Sequence, residues 1–136
     1  MKKIVLFISI LAMVLGIHSC KNKTNNSVET EEFKEKITIT YFHGERRCKT
    51  CIAVGDVAKL TYEENYKDNK DIAFKDINID DKANEKIAEK YEIAGSALLI
   101  IINGKAEDIT GMAFQNAVNN PEVLKEKIEE IVNKSS

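Results

Sequence analysis

The spacing of apolar and polar positions changes period several times along this chain, and each change marks a predicted element. Ile37-Thr38-Ile39-Thr40-Tyr41-Phe42 is dominated by β-branched and aromatic residues and predicts a strand. Gly44 to Arg47 predicts a turn. From Cys48 to about Tyr66 the period becomes helical: Val54, Ala58, Tyr62 and Tyr66 fall four apart on one face, joined by Val57. Asp68-Asn69-Lys70-Asp71 ends that helix. Ile72 to Ile79 alternates, with a one-residue shift between Phe74 and Ile77 that predicts a strand with a bulge. Lys82 to Tyr91 predicts a second helix with Ala83, Ile87 and Tyr91 aligned and Asp80 or Asp81 as its cap. Ala97 to Ile102 is continuously apolar, as a central buried strand is. Asn103-Gly104 predicts a hairpin turn, and Ala106 to Thr110 pairs back as a short edge strand that Gly111 breaks. A last helix has Asn120 as cap, Pro121 at its first position, Glu122 in its first turn, and Leu124, Ile128, Ile131 and Val132 as its buried stripe.

The predicted order is β-α-β-α-β-β-α. One βαβ crossover, then a hairpin and a helix, gives an α/β domain with a mixed sheet and helices on both faces.

The first nineteen residues have a different character. Lys2 and Lys3 precede Ile4 to Ile17, an almost wholly apolar run too short and wrongly flanked for an ordinary spanning helix. It ends in Ile17-His18-Ser19-Cys20. An apolar residue, a small residue and then cysteine resembles the bacterial lipobox, which implies a signal peptide over 1–19 and a lipid on Cys20. Lys21 to Ser27 has no large apolar residue and reads as a flexible tether. Val28 to Lys36 has Phe33 as its one large apolar residue, and reads as more tether or a short helix laid on the domain. The expected organisation is therefore a signal over 1–19, lipidated Cys20 and tether over 20–36, and one domain over 37–136. It places the protein in a bacterial cell envelope, anchored on the periplasmic or outer face, where oxidation of thiols is permitted.

Charge narrows the partners. The chain carries 20 Lys and Arg against 22 Asp and Glu, and without Lys2 and Lys3 the balance is 18 against 22. No basic run occurs, so nucleic acid is not an expected partner. A mature stretch from Cys20 to Ser136, 117 residues, supports one core, and a monomer is expected.

If Cys20 carries lipid, two of the three cysteines remain, as Cys48-Lys49-Thr50-Cys51. They lie between a predicted strand and a predicted helix. A helix start presents unpaired N–H groups and partial positive charge, so a cysteine there loses its proton more readily. A second cysteine one turn later can attack a mixed disulfide and release the product. Other uses of this spacing fit less well. A structural zinc site needs four ligands, and there is no second cysteine pair and no mature histidine besides His43. Haem attachment needs His after the second cysteine, where Ile52 stands. Two thiols, with or without His43, could still hold copper(I) or a metalloid, which makes a soft-metal transfer module the competing reading. A small structural disulfide in an interaction protein is a third. Around the pair, Arg46 and Arg47 either stabilise a thiolate, steer an acidic partner or form a solvated turn, and Lys49 adds to the positive field. His43 tunes the site or lies on the surface, and Thr50 caps or hydrogen-bonds in the first turn. No organic cofactor is implied.

The run from Ile37 to Ser136 resembles the thioredoxin-like superfamily. The resemblance is carried by the strand–Cys48-Lys49-Thr50-Cys51–helix unit, by Asn78-Ile79-Asp80, by the approach Tyr91-Glu92-Ile93-Ala94-Gly95-Ser96-Ala97-Leu98-Leu99, and by Asn103-Gly104-Lys105. His43-Gly44-Glu45-Arg46-Arg47-Cys48-Lys49-Thr50-Cys51 looks like a prokaryotic subgroup with an HG-x-x-RC-x-TC pattern. The resemblance implies a four-stranded mixed sheet and a thiol–disulfide oxidoreductase whose partner is a protein or small-molecule disulfide or dithiol. It implies Cys48 as the exposed attacking thiol and Cys51 as the buried resolving thiol. Two positions depart from the family. Ser96-Ala97 stands where the family has a cis-proline, and trans geometry is expected because a non-proline cis bond costs about 3 kcal/mol. Thr40, Tyr41 and Phe42 stand where the family has a buried acid, so proton transfer to or from Cys51 would need water, Glu45, His43 or another group. Both departures fit a slow or partner-specific exchanger better than a general one.

Overall fold

The computed structural model describes residues 33–136; the expected signal, Cys20 and the tether before Phe33 lie outside the described residues. The elements are β1 (Ile37–His43), α1 (Lys49–Asn65), β2 (Ile72–Asn78), a 3₁₀ turn (Lys82–Asn84), α2 (Glu85–Lys90), β3 (Ala97–Ile102), β4 (Lys105–Asp108), α3 (Thr110–Asn116) and α4 (Pro121–Ser135). The sheet order is β2-β1-β3-β4. β1 runs parallel to β2 and antiparallel to β3, and β4 runs antiparallel to β3. The mixed four-stranded sheet with helices on both faces is the expected α/β architecture.

β1 is buried along almost its whole length because it has a strand on each side and a core on each face. Strand residues alternate between faces. Ile37, Ile39 and Tyr41 point into a core filled by Val54 and Ala58 of α1, Ala113 of α3, and Leu124, Ile128, Ile131 and Val132 of α4. Phe42 points the other way, with Leu99 and Ile101 of β3, onto Ile87 of α2. Tyr66 and Asn65 bind the end of α1 to α4, through Asn133 at 3.1 Å and Glu129 at 2.9 Å.

Four local expectations differ from the structure. β2 carries no bulge: it pairs with β1 in unbroken register from Ile37↔Ile72 to His43↔Asn78. The apparent shift arises because both faces are covered, so Phe74 belongs to one core and Ile77 to the other. The second helix divides into the 3₁₀ turn and α2, with Asp81 Oδ1 accepting from Ala83 N at 2.9 Å. Gly111 does not end a strand but lies in the first turn of α3. Asp108 Oδ1 accepts from Thr110 N at 2.8 Å, and Thr110 Oγ1 accepts from Leu98 N at 3.0 Å, so the chain turns into a helix directly off the edge strand. Asn120 makes no side-chain cap, and Pro121 with Glu122 in the first turn marks the start of α4. The hairpin at Asn103 (φ 48°) and Gly104 (φ 80°) is as expected, and no peptide bond among the described residues is cis.

Thr38 and Thr40 are fully buried on the Phe42 face of β1. The Thr38 hydroxyl finds no hydrogen-bond partner among the described residues. A buried unsatisfied hydroxyl is costly, whereas valine keeps the β-branched shape without it. Thr38→Val is expected to raise the unfolding free energy by about 1 kcal/mol, read as a higher denaturant midpoint at unchanged slope. A lower midpoint would show that the hydroxyl has a partner after all.

Candidate functional site

Cys48 is the N-cap of α1, in extended conformation (φ −76°, ψ 164°), and its carbonyl accepts the first helical bond from Ile52 N at 3.0 Å. Its Sγ accepts from Cys51 N at 3.1 Å. The two cysteines form a disulfide with their Cα atoms 5.0 Å apart, inside the span such a bond allows. Cys48 is exposed, while Cys51 is half-buried rather than buried. Thr50 is half-buried in the first turn, which contains no acidic residue. Sulfur acceptance of an N–H at a helix start is the geometry that favours a thiolate over a thiol.

The support beneath this turn is Tyr41. Its side chain is fully buried, and its hydroxyl donates to the Cys51 carbonyl at 2.6 Å. The ring reaches that position because residue 55 is glycine: a Cβ there would lie 2.7 Å from Tyr41 Cε1. A mid-helix glycine costs about 1 kcal/mol relative to alanine, so close approach is what the position requires. Burial raises the Tyr41 pKa above its ordinary value, while Ser96 and the Arg47 guanidinium beside it pull the other way. Burial prevails, so the phenol remains a neutral donor throughout the range in which a cysteine titrates.

His43 is ordered by groups that sequence reading did not find. Its Nε2 lies 2.8 Å from Asp76 Oδ1 and its Nδ1 lies 2.8 Å from the Gly44 carbonyl. Both partners are acceptors, so the ring donates to one when neutral and to both when protonated. It stacks on Tyr41 with centroids 5.4 Å apart. Asp76 is opposite Tyr41 in the parallel pairing of β1 with β2. Asp80, expected as a possible helix cap, instead secures the turn before the cysteines, its Oδ2 accepting from Glu45 N at 2.8 Å. Gly44 leaves room for it: a Cβ there would lie 2.9 Å from the same oxygen. Arg46, Arg47 and Lys49 are all exposed. Thus Tyr41 and the Cys51 carbonyl meet, His43 joins them through the Tyr41 ring, Asp76 and Asp80 hold the perimeter, and Ser96 and Arg47 are near enough to act on the phenol. Of these, Tyr41 had read as core, and Gly55, Asp76 and Ser96 had no signal tied to the cysteines beyond Ser96 replacing a proline.

A cysteine pair at the end of the central parallel strand and the start of its crossover helix, with strands ordered β2-β1-β3-β4, is a defined arrangement. The fold is thioredoxin-like. No protein-family model matches the sequence, and no curated protein matches it. Among solved structures, the chain is similar to a mutant thioredoxin from Halobacterium salinarum, with 21% identity over 71% of this chain and 74% of that one and a TM-score of 0.49. The fold assignment rests on this chain's own strand order and directions. A Cys-x-x-Cys pair joined as a disulfide on such a fold supports a redox role in general.

No group of three or more His, Cys, Asp or Glu suited to a metal ion occurs among the described residues. No helix among them is long and apolar enough to cross a membrane.

Gly55→Ala is expected to lower stability by about 1–3 kcal/mol even though alanine is the better helix former, because the Tyr41 ring cannot move aside in a packed core. Thermal unfolding of the single variant and of Gly55→Ala with Tyr41→Leu checks the cause. With Tyr41→Leu alone as the third variant, the double variant should lose less than the sum of the two single losses. Additive losses would assign the cost elsewhere.

Proposed function

We propose that this protein is a membrane-anchored thiol–disulfide oxidoreductase. The observation that carries the reading is the exposed Cys48 at the N-cap of α1, with the half-buried Cys51 one turn on and already bonded to it. In the reduced protein the Cys48 thiolate attacks one sulfur of a partner disulfide. The partner's other sulfur leaves as a thiolate and takes up a proton. Cys51, as thiolate, then attacks Cys48 Sγ, the mixed disulfide breaks, and the second partner thiolate departs. The partner disulfide gains two electrons, and the Cys48–Cys51 disulfide forms; the reverse sequence oxidises a partner dithiol. The Cys51 N–H, the α1 N-terminus and the nearby cations all favour negative charge on Cys48 Sγ. Thr50 occupies the first turn, and His43 supports Tyr41 and so the carbonyl end of that turn.

Anchoring rests on the sequence Lys2-Lys3, the apolar run and Ile17-His18-Ser19-Cys20. A lipid on Cys20 leaves sixteen residues before Ile37. Extended, that length spans up to about 55 Å, enough to hold the domain clear of a bilayer surface.

The test uses the purified full chain. After reduction, Cys48 should be alkylated with a pH midpoint below the ordinary cysteine value of about 8.5. Cys51→Ser should accumulate a mixed disulfide with the partner or with glutathione, and Cys48→Ser should not. A sluggish Cys48 with an ordinary midpoint and no trapped adduct would overturn the redox reading. Tight stoichiometric copper(I) uptake without disulfide turnover would replace it with metal transfer. Incorporation of labelled fatty acid in cells, lost in Cys20→Ser, tests the anchor separately.

A further inference from the structure

Three cations surround the reactive sulfur. Arg46, Arg47 and Lys49 are exposed, and so is Cys48 between them. No carboxylate pairs with any of the three among the described residues. Of the nearby acids, Asp76 meets His43 and Asp80 accepts from the Glu45 N–H, while the exposed Glu45 side chain forms no ion pair with the cluster, so three cations stand against one carboxylate. α1 has no acid in its first turn to offset them. The chain as a whole has more acids than bases, so this cluster is local rather than general basicity. Arg47 is the one of the three close enough to the buried Tyr41 phenol to act on its charge.

Three unpaired cations in four consecutive positions act on whatever approaches the sulfur between them. At physiological salt a charge is felt over about 8 Å, which covers the residues flanking a docked disulfide. Resting on the redox reading above, we propose that the disulfide this protein exchanges with is flanked by carboxylates, and that Arg46, Arg47 and Lys49 select it. The carboxylates approach the Arg46–Lys49 cluster while Cys48 Sγ attacks the adjacent sulfur, and the electron and proton balance is that given above. Steering of this kind acts on the encounter and on the mixed disulfide, and falls steeply with ionic strength.

The experiment uses the reduced full chain and symmetric peptide disulfides that differ only in the residues beside cysteine: glutamate, serine or lysine. Glutathione disulfide, a small anion, is a fourth substrate. At low salt the glutamate peptide should react about tenfold faster than the lysine peptide, with serine between. The ratio should approach one at about 1 M salt, where charges act over only about 3 Å. Arg46→Gln, Arg47→Gln and Lys49→Gln together should abolish the ratio, and Arg46→Glu with Arg47→Glu should reverse it. Reading the ratio rather than the rate removes any change in the thiolate itself, which alters all substrates alike. A matching preference for glutathione disulfide assigns selection to charge on any small anion, and its absence assigns selection to a peptide chain; both support the proposal. Ready reaction with the serine peptide and equal rates for the glutamate and lysine peptides would overturn this inference alone. So would a ratio that survives the triple substitution. Failure of all four substrates would overturn it together with the redox reading.

Discussion

The site depends on the approach of one ring to one glycine. Tyr41 lies under α1 at Gly55 and donates to the Cys51 carbonyl, so the first turn of the helix is fixed to the middle strand of the sheet at a single point. A helix packs on a sheet through side chains, which sets the two backbones well apart. The missing Cβ at residue 55 lets a large ring enter without moving the helix, and the ring brings a hydroxyl to the cysteine turn from below. The hydroxyl satisfies a carbonyl lone pair that the helical bond leaves free. The Gly55 propensity cost, about 1 kcal/mol, is similar to the net worth of such a hydrogen bond, so the arrangement is a positioning device with little net effect on stability.

The choice of a phenol also sets the proton chemistry. A carboxyl group buried here would have to ionise in a low-dielectric site, and its charge would depend on the redox state above it. Tyr41 is held neutral by burial, so it cannot accept a proton from Cys51. On the proposed exchange, that proton goes instead to water, to a neighbouring base such as His43 or Glu45, or to the partner thiolate that has just departed. A leaving thiolate that remains at the site is then both product and base. If the departed thiolate serves as that base, the proposed exchange favours a disulfide that docks over one that collides and leaves, in keeping with the cationic rim around Cys48.

Much of the fold was legible in the sequence, and the omissions have a common physical origin. β1, β3 and α4 were legible because each has one sustained period: alternation against two cores, an unbroken apolar run, and a stripe at Leu124, Ile128, Ile131 and Val132. α3 was not, because seven residues give too few turns to establish a period and Gly111 looks like a breaker rather than part of a first turn. β2 looks bulged in the sequence because both its faces carry apolar residues, each against a different core. At the site, the cysteine pair and its helix start were visible, but the residues that order it were not. His43 and Asp76 are thirty-three positions apart and meet only through the parallel register of β1 and β2, which no local pattern encodes. Gly55 in a helix reads as a tolerated cost until the ring that occupies its place is seen.

The direction of β1 connects the two ends of the proposed function. The chain reaches the domain at Phe33, which packs on Tyr91 with ring centroids 6.1 Å apart, and enters β1 at Ile37. It leaves β1 at His43, five residues before Cys48. Seven strand residues extend about 20–24 Å, so the tether and the disulfide lie toward opposite ends of the same strand. On the proposed anchoring, lipid attached through Cys20 pulls at the start of β1 and the cysteine turn faces away from the attachment. No rearrangement of the domain is then needed for a partner to reach Cys48. On the same proposals, the length of the tether sets how far from the surface that encounter takes place, and the charge around Cys48 sets with what.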